Sequence, residues 1–259
     1  MAPEIFQIKG FTLYTYWLFF ALGIIATTYA IILLSKKNNL KIQFLSEHAF
    51  YLTGITILGA RIGSILVNFN TYFYELNTKT LLSTLYIWDK GLNGWSGLLA
   101  FIIAFYFLTK KYEQNFKSWM DILIPSLLYG IALISIGAFF EGSSYGNVTT
   151  LKWGVNFESP SIKYIKPIHP TQIYAFIYSL TIAISLSVIN IIEENKEKLA
   201  GLIATIGILS FSTFKFLEEF VRGDDVMMIY GIRLPQIIAF LAIIVSGTFL
   251  IFRYTLKKK

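Results

Sequence analysis

Four ionisable residues lie within or beside long apolar stretches of the sequence, where charge is costly. Arg61 is near the centre of one stretch, Glu141 and His169 lie where apolar sequence meets a polar loop, and Arg222 follows another stretch. Ionisable groups in membrane segments usually belong to a binding site or a pathway. Because guanidinium groups match phosphate geometry with two hydrogen bonds, the two arginines favour an anionic ligand.

Arg61 is flanked by Gly59, Ala60 and Gly63, small residues that let another helix or a ligand come close. An arginine at the centre of a membrane helix costs about 2.5 to 3.5 kcal/mol on insertion scales, so it needs a partner. Two interpretations are open: the guanidinium binds a lipid phosphate, or it forms a structural pair with Asp121 or Glu141. Asp121 is otherwise interpreted as a carboxylate favoured by the dipole at the start of its own helix.

Residues 136–146 combine three glycines and Glu141 at the boundary between an apolar stretch and a polar loop. A helix that only crossed lipid would not need so many small and polar residues at its end. This segment therefore predicts a binding site, with Glu141 paired to Arg61, paired to Arg222 or solvated.

The run from His169 to Tyr174 opens another apolar stretch. Pro170 suits the first helical turn, which places His169 near the helix cap, able to bond exposed amides or a ligand. Gln172 and Tyr174 add hydrogen-bonding groups at the same rim.

Lys215, Glu219 and Arg222 recur at spacings of four and three, so they share one helical face and can bridge to each other or to a phosphate. Their alternation with Phe216 and Phe220 predicts a partly buried polar seam. Tyr16 lies at the start of the first apolar stretch, where tyrosine is typical of an interface anchor.

Composition places the chain in a membrane, because 55% of its 259 residues are hydrophobic and only 14% are charged. With no cysteine and only two histidines, far apart, the sequence excludes disulfides and thiolate catalysis and predicts neither a metal nor a cofactor. The net charge of +7 comes largely from loops between apolar stretches. It therefore indicates topology and attraction to anionic headgroups, not nucleic-acid binding.

Seven apolar stretches approach the length needed to cross a bilayer, at residues 11–35, 47–69, 95–109, 119–140, 171–192, 199–216 and 232–252. They predict an all-α polytopic membrane protein, with residues 1–259 forming one domain. The third stretch is short, and its span either begins within residues 81–88 or leaves that piece in the interface. The first ten residues lack the basic region and cleavage site of a signal peptide, so the first stretch should be retained.

Loop charge predicts the orientation. If the spans alternate, 12 of the 22 lysines and arginines fall on one side of the membrane, in the loops at 36–41, 110–117 and 196–198 and in the tail. Because positive charge concentrates in cytoplasmic loops, the N-terminus should be outside and the C-terminus cytoplasmic.

Nearly the whole sequence resembles the prolipoprotein diacylglyceryl transferase family of bacterial inner membranes. The matching segments occur in the family's order, at residues 13–16, 59–63, 88–97, 136–146, 169–174 and 216–222. The resemblance implies a seven-helix bundle with a cavity open to the outer leaflet. It also implies transfer of the diacylglyceryl group of phosphatidylglycerol to the lipobox cysteine on the signal peptide of a preprolipoprotein.

The expected catalytic residues are Arg61, Glu141, His169 and Arg222; of these, Arg61, His169 and Arg222 coincide with motif residues of the family. The expected substrate-binding residues are Tyr16, Gly137, Gly142, Tyr145, Gly146, Gln172, Tyr174 and Glu219. The two arginines would hold the donor phosphate and stabilise the departing glycerol phosphate. The acceptor thiol must also lose its proton, which nearby cations favour.

The chain departs from the family's usual motifs at six positions. Ser135 replaces an arginine, Ala138 and Glu141 replace asparagines, Ser143 a glutamate, Trp95 a histidine and Ser96 a glycine. Residues 142–146 are closer to a variant branch with a Gly-Cys-Cys-Tyr-Gly run, here with serine at both cysteine positions. An alternative function is therefore a non-catalytic paralogue that binds phospholipid or lipopeptide; a small-solute transporter is a third, less favoured class.

Overall fold

The computed structural model describes residues 4–8, 11–69, 73, 92–157, 162–195, 197 and 200–256. Its helices are α1 (Thr15–Lys37), α2 (Ile42–Glu47), α3 (Ala49–Val67), α4 (Gly94–Lys111), α5 (Phe116–Glu141), α6 (Thr171–Ile192), α7 (Leu202–Glu218) and α8 (Leu234–Leu256). Two antiparallel hairpins pair β1 (Glu4–Ile8) with β2 (Phe11–Tyr14), and β3 (Met228–Ile229) with β4 (Ile232–Arg233).

Each of the seven predicted stretches corresponds to a long helix in the described part of the chain. Five of these helices are long and apolar enough to cross a membrane: α1, α3, α5, α6 and α8. The prediction of a helical membrane protein is thus confirmed. The first stretch was placed four residues too early, because residues 11–14 pair with β1 and helix α1 begins only at Thr15. The piece at 81–88 lies outside the described residues.

The chain divides into two compact units. One unit, residues 41–116, contains α2, α3 and α4. Glycines bring α3 and α4 into close contact: a Cβ on Gly59 would lie 2.2 Å from the Cβ of Ala100, and one on Gly63 2.0 Å from the Oγ of Ser96. The small residues around Arg61 therefore admit a neighbouring helix, as the sequence predicted.

The other unit, residues 1–40 and 117–259, contains α1 and α5 to α8. Helices α1 and α5 also pack through glycine, since a Cβ on Gly130 would lie 2.4 Å from the Oγ1 of Thr27. Buried apolar residues of α5, α6 and α7 form the core of this unit: Leu128, Tyr178, Ile182, Ala183, Leu186 and Ile203.

Asp121 stabilises a helix other than its own. Its carboxylate accepts hydrogen bonds from the backbone N–H of Gly201 at 2.6 Å and of Ala204 at 2.7 Å, at the start of α7. Helix α5 begins at Phe116, so Asp121 lies in its second turn. The interpretation as a carboxylate at the start of its own helix was wrong, because the dipole that it meets belongs to α7.

Candidate functional site

A cavity of about 290 Å³ opens in the unit formed by residues 1–40 and 117–259. Side chains from α1, α5, α6 and α7 and from the loop after α5 surround it. Its lining residues are Tyr16, Ile131, Ile134, Ser135, Ala138, Glu141, Ser143, Ser144, Thr171, Gln172, Ala175, Tyr178, Phe211, Lys215, Glu218 and Arg222.

The loop after α5 forms one rim of the cavity. Helix α5 ends at Glu141, and Gly142, at φ +80°, turns the chain while its N–H donates to the carbonyl of Ala138 at 2.9 Å. A left-handed residue after the last helical turn is a common way to end a helix, and glycine adopts it without strain. Beyond this turn the chain approaches the segment before α6 and the segment after α7.

Residues 145–149 lie between residues 167–169 and residues 221–223. Gly146 donates to the carbonyl of His169 at 3.1 Å, and Asn147 donates to the carbonyl of Val221 at 2.8 Å. On the return side, Gly223 donates to the carbonyl of Tyr145 at 2.9 Å. These backbone bonds tie the loop after α5 to the segments before α6 and after α7, so three parts of the chain are fixed together at the cavity.

Gly146 is needed at the centre of this arrangement. A Cβ there would lie 2.5 Å from the Cβ of His169 and 2.6 Å from its carbonyl oxygen. Another 2.9 Å contact, with the carbonyl oxygen of Val221, would arise on the opposite side. A larger residue would therefore separate the segments that form the rim.

Two buried side chains at the start of α6 hold the same loop. Thr171 donates from Oγ1 to the carbonyl of Ser144, and Gln172 donates from Nε2 to the carbonyl of Ser143, both at 2.6 Å. Both side chains are buried and line the cavity. They position the loop because each donates a hydrogen bond to one of its carbonyl groups.

Arg222 and Lys215 supply the positive charge of the cavity wall, and Glu218 holds both. Its Oε1 lies 2.7 Å from Lys215 Nζ and 3.1 Å from Arg222 Nη1, while its Oε2 accepts from the Tyr178 hydroxyl at 2.9 Å. Arg222 also binds both oxygens of Asp224 through Nε and Nη2. Three of its five N–H groups are thus engaged by described residues.

A second layer of charge lies behind this wall. The buried Glu219 pairs with Lys215 at 3.1 Å and with Arg233 Nε at 2.7 Å. Arg233 also reaches the Asp224 carboxylate, at 2.8 Å. Three cations and three carboxylates therefore form one network, whose formal charges balance.

The network fixes the ionisation of its loop residues. Burial opposes the charge of Arg222, but hydrogen bonding and attraction from Asp224, with attraction from the two glutamates, raise its pKa above the usual value. Burial likewise raises the pKa of Asp224, yet Arg222 and Arg233 outweigh this effect and leave that pKa below its usual value. Both groups therefore stay charged.

The structure brings four predicted site residues together at the cavity: Tyr16, Glu141, Gln172 and Arg222. Two predicted glycines act by close packing or turning instead. A Cβ on Gly137 would lie 3.2 Å from the carbonyl oxygen of Tyr16, so Gly137 lets α1 approach α5 where Tyr16 begins to line the cavity. Gly142 turns the chain after α5, as described above.

Glu141 accepts a hydrogen bond from the Ser143 hydroxyl at 2.7 Å. Among the described residues it forms no ion pair with Arg222, one of the three interpretations open from sequence. Tyr145 is buried, and its ring packs edge-on against Tyr164 at 6.1 Å. Glu219 lies in the network behind the cavity wall.

His169 is not the side-chain cap of α6. Pro170 occupies the N-cap position, with Thr171 as the first helical residue. The His169 ring instead lies 3.1 Å from the Tyr174 hydroxyl, which also accepts from the indole N–H of Trp153 at 2.8 Å. These three side chains form a separate polar chain beside the rim, and His169 and Tyr174 are not among the lining residues.

Arg61 lies in α3, in the unit of residues 41–116, where it is buried and engaged with other groups. Its role as a phosphate ligand stays a prediction. Trp95, at the family's usual histidine position, is half-exposed in the first turn of α4, whose N-terminus Asn93 caps.

The sequence interpretation left several residues out of the site. Lys215 was assigned to the polar seam, but it lines the cavity, as do Glu218 and Tyr178. Asp224 and Arg233 were not assigned to the site. The spacing of Glu218 to Lys215 and Arg222 was a usable signal, whereas the contact of Arg233 with Glu219 depends on the fold of the β3–β4 hairpin.

The arrangement defines a class: a multi-pass helical membrane protein with a cavity that combines an apolar wall, two cations, two carboxylates and hydrogen-bonding groups. Such a cavity suits an amphipathic ligand with a polar headgroup. A model of the prolipoprotein diacylglyceryl transferase family matches residues 3–252. The chain belongs to that family.

Relatives named phosphatidylglycerol–prolipoprotein diacylglyceryl transferase align along most of the chain. The protein of Clostridium tetani is 27% identical over 250 residues, covering 95% of each chain. That of Finegoldia magna is 25% identical over 249 residues, 96% of this chain and 94% of its own. That of Pseudoalteromonas atlantica is 30% identical over 224 residues, 86% and 76% respectively.

Proposed function

We propose that this protein transfers the diacylglyceryl group of phosphatidylglycerol to the lipobox cysteine of a preprolipoprotein. The observation that carries the proposal is the joint presence of Lys215 and Arg222 in one cavity wall, next to apolar side chains of α5 to α7. Membership of the family and the names of its relatives support the same reaction.

The chemical step forms a thioether bond between the cysteine sulfur and the glyceryl carbon that carried the phosphate ester. The carbon–oxygen bond breaks, and glycerol phosphate leaves with the bonding electrons. Lys215 and Arg222 hold the donor phosphate and stabilise the charge that grows on the leaving group. The partial engagement of both cations with Glu218 keeps them in place before the lipid arrives.

Glu141 accepts the proton that the thiol loses. Within the described ranges it pairs with no cation, and it accepts a hydrogen bond from the Ser143 hydroxyl. Glu218, the other carboxylate of the wall, is held by Lys215, Arg222 and Tyr178. Of the two, Glu141 is therefore free to act as the base.

The remaining predicted residues complete the site. Arg61 is the second guanidinium for the donor phosphate, and Tyr16 and Gln172 contact the lipid. His169, Tyr174, Tyr145, Gly146 and Glu219 maintain the rim and the charge network around it. In this proposal the seven long helices form one bundle in the bacterial inner membrane, with the cavity open to the outer leaflet, the N-terminus outside and the C-terminus cytoplasmic.

The direct test is transfer of label from phosphatidylglycerol, radiolabelled in its acyl chains, to a synthetic lipobox peptide by the purified protein. We expect labelled peptide from the wild type and none from a peptide with serine in place of cysteine. Lys215→Met and Arg61→Ala should abolish transfer, whereas Lys166→Met, at an exposed loop lysine, should not change it.

The second candidate is the non-catalytic paralogue, and Ser135 is the observation that favours it. This residue lines the cavity where the family usually has an arginine, and its hydroxyl donates to the carbonyl of Ile131 at 2.8 Å. Phospholipid that copurifies with a protein unable to label the peptide would overturn the transferase proposal and support this one.

A further inference from the structure

Tyr178 of α6 bonds to the carboxylate that both cations of the cavity wall share. Its hydroxyl donates to Glu218 Oε2 at 2.9 Å, and within the described part of the chain this oxygen has no other hydrogen-bonding partner. The other oxygen, Oε1, lies 2.7 Å from Lys215 Nζ and 3.1 Å from Arg222 Nη1. Glu218 therefore meets a neutral hydroxyl on one oxygen and both cations on the other.

The Tyr178 hydroxyl is held in place by the packing of its ring. The ring stacks on Phe214 with 5.5 Å between centroids and 7° between planes, and it meets Phe211 at 5.7 Å and 60°. Phe211, Phe214 and Glu218 are spaced by three and four residues, so they share one face of α7. Tyr178 is buried and belongs to the core of its unit. Its hydroxyl therefore meets Glu218 at a fixed position.

This hydroxyl confines both cations to one oxygen of Glu218. The carboxylate is buried, and a buried acceptor without a donor costs free energy. Without the Tyr178 hydroxyl, Glu218 would recover the lost bond by turning so that Lys215 or Arg222 moved to Oε2. Two cations spread over two oxygens would be held more tightly by Glu218. Less of their hydrogen-bonding capacity would then face a lipid phosphate.

We propose that Tyr178 is a positioning residue for the donor lipid: by occupying Oε2 of Glu218, its hydroxyl keeps Lys215 and Arg222 where both reach one phosphate group. The inference rests on the proposed function in taking a phospholipid phosphate as the ligand of the two cations. Tyr178 acts through Glu218, and no step of bond making or proton transfer is assigned to it.

The test is titration of two lipids with identical acyl chains into the purified protein in nanodiscs, with bound lipid measured by native mass spectrometry. Phosphatidylglycerol carries the phosphate, and diacylglycerol lacks it. Tyr178→Phe keeps the ring with its stacking on Phe214 and removes only the hydroxyl. We expect this variant to lower the affinity for phosphatidylglycerol about tenfold, the value typical of one hydrogen bond to a charged group. Its affinity for diacylglycerol should equal that of the wild type.

Tyr129→Phe is the matched control. The Tyr129 hydroxyl, on α5, donates to Ser187 Oγ of α6 at 3.3 Å, and Tyr129 is not among the lining residues. The variant removes the same group from another contact between helices of this unit, and it should change neither affinity. Equal affinities of the wild type and Tyr178→Phe for phosphatidylglycerol would overturn the inference. A parallel loss for both lipids would also overturn it and leave Tyr178 with a packing role alone.

A double-mutant cycle tests whether Tyr178 acts through Glu218. Glu218→Met keeps an unbranched side chain of similar length and removes both oxygens, while Lys215 retains Glu219 and Arg222 retains Asp224 as partners. In that background Tyr178→Phe should change the affinity for phosphatidylglycerol by less than about twofold, because the carboxylate that links the hydroxyl to the cations is gone. An undiminished loss in that background would contradict the inference. If Glu218→Met does not fold, the comparison of the two lipids in Tyr178→Phe decides.

The two proposals fail separately in this design. A protein with the Tyr178-dependent affinity and no peptide labelling would contradict the transferase proposal alone. Peptide labelling by a wild type whose lipid affinity does not depend on the Tyr178 hydroxyl would contradict only the role given to Tyr178.

Discussion

The two carboxylates in the cavity wall have different surroundings. Glu218 is buried and accepts from Tyr178, Lys215 and Arg222, so both of its oxygens are engaged. Glu141 is exposed at the end of α5, with a hydroxyl as its partner. Of the two carboxylates, Glu141 is therefore the one that an acceptor thiol can reach.

This difference predicts that Glu141→Gln lowers the rate of diacylglyceryl transfer by at least about a hundredfold, the lower end of the range for loss of a general base. Phospholipid binding should change little, because the phosphate is held by Lys215 and Arg222. Peptide labelling and native mass spectrometry measure the two effects separately. Ser143→Ala, which keeps the carboxylate and removes only its hydroxyl partner, should retain most of the activity. Full activity in Glu141→Gln would exclude this residue as the base.

Some residues of the cavity were predictable from sequence because their signals are local. A glutamate or tyrosine at the end of an apolar stretch is visible in the sequence itself, as Glu141 and Tyr16 show. Arg233 was not recognised, because its ion pair with Glu219 spans 14 residues and depends on the turn at Tyr230 and Gly231. The partners of His169 were missed for a related reason, since side-chain contacts with Trp153 and Tyr174 follow from loop geometry.

Among the larger elements, the rim of the cavity is built from three segments that are distant in sequence. Residues 145–149, 167–169 and 221–223 meet through backbone hydrogen bonds, and two residues without side chains, Gly146 and Gly223, allow them to do so. The rim therefore depends on the position of α5, α6 and α7 together.

Gly146→Ala should destabilise the protein by about 1 to 3 kcal/mol, since an added methyl group meets backbone atoms that cannot move independently. Thermal unfolding in detergent measures the effect. The matched control is Gly247→Ala in α8, where an added Cβ meets nothing within 4 Å and alanine improves helix propensity. That control should be neutral or slightly stabilising. If both variants unfold at the wild-type temperature, the close packing of the rim is contradicted.

The other end of α5 is fixed by a different contact. Asp121 caps α7 with both carboxylate oxygens, and Asn190 of α6 donates to its carbonyl at 3.2 Å. Asp121 and Glu141 are separated by twenty residues of one helix, or about 30 Å. A substitution of Asp121 that lowers the free energy of unfolding should therefore leave phospholipid binding at the cavity unchanged.

Asp121→Asn should lower the free energy of unfolding by about 1 to 3 kcal/mol. The carboxylate accepts from two backbone N–H groups at a buried site, whereas the neutral amide has only one acceptor oxygen. Asp225→Asn is the control, because its pair with Lys163 is largely exposed and contributes little. Thermal unfolding measures the stabilities, and native mass spectrometry of the protein in nanodiscs measures phospholipid binding. Altered phospholipid binding in Asp121→Asn would contradict this independence and show that the two ends of α5 are coupled.

For the whole molecule, apolar length was the strongest sequence signal. All seven stretches contain a long helix because a run of apolar residues is a local property that needs no knowledge of tertiary contacts. The β1–β2 hairpin was missed, since residues 11–14 are as apolar as the helix that follows. The charge network was only partly predictable, because its balance depends on Asp224, which belongs to no apolar stretch, and on Arg233, whose contacts with Glu219 and Asp224 depend on the fold.

The orientation of the molecule in the membrane can be tested with single cysteines, because the natural chain has none. We predict that an impermeant maleimide labels Lys166→Cys in intact spheroplasts but labels Lys37→Cys only after the membrane is permeabilised. Both lysines are exposed, Lys166 in the loop before α6 and Lys37 in the last turn of α1. The reason is that lysines concentrate on the cytoplasmic side, which includes the loop after α1. The cysteine-free wild type gives the background labelling. The reverse labelling pattern would place the rim of the cavity on the cytoplasmic side, where the proposed reaction with a secreted preprotein could not occur.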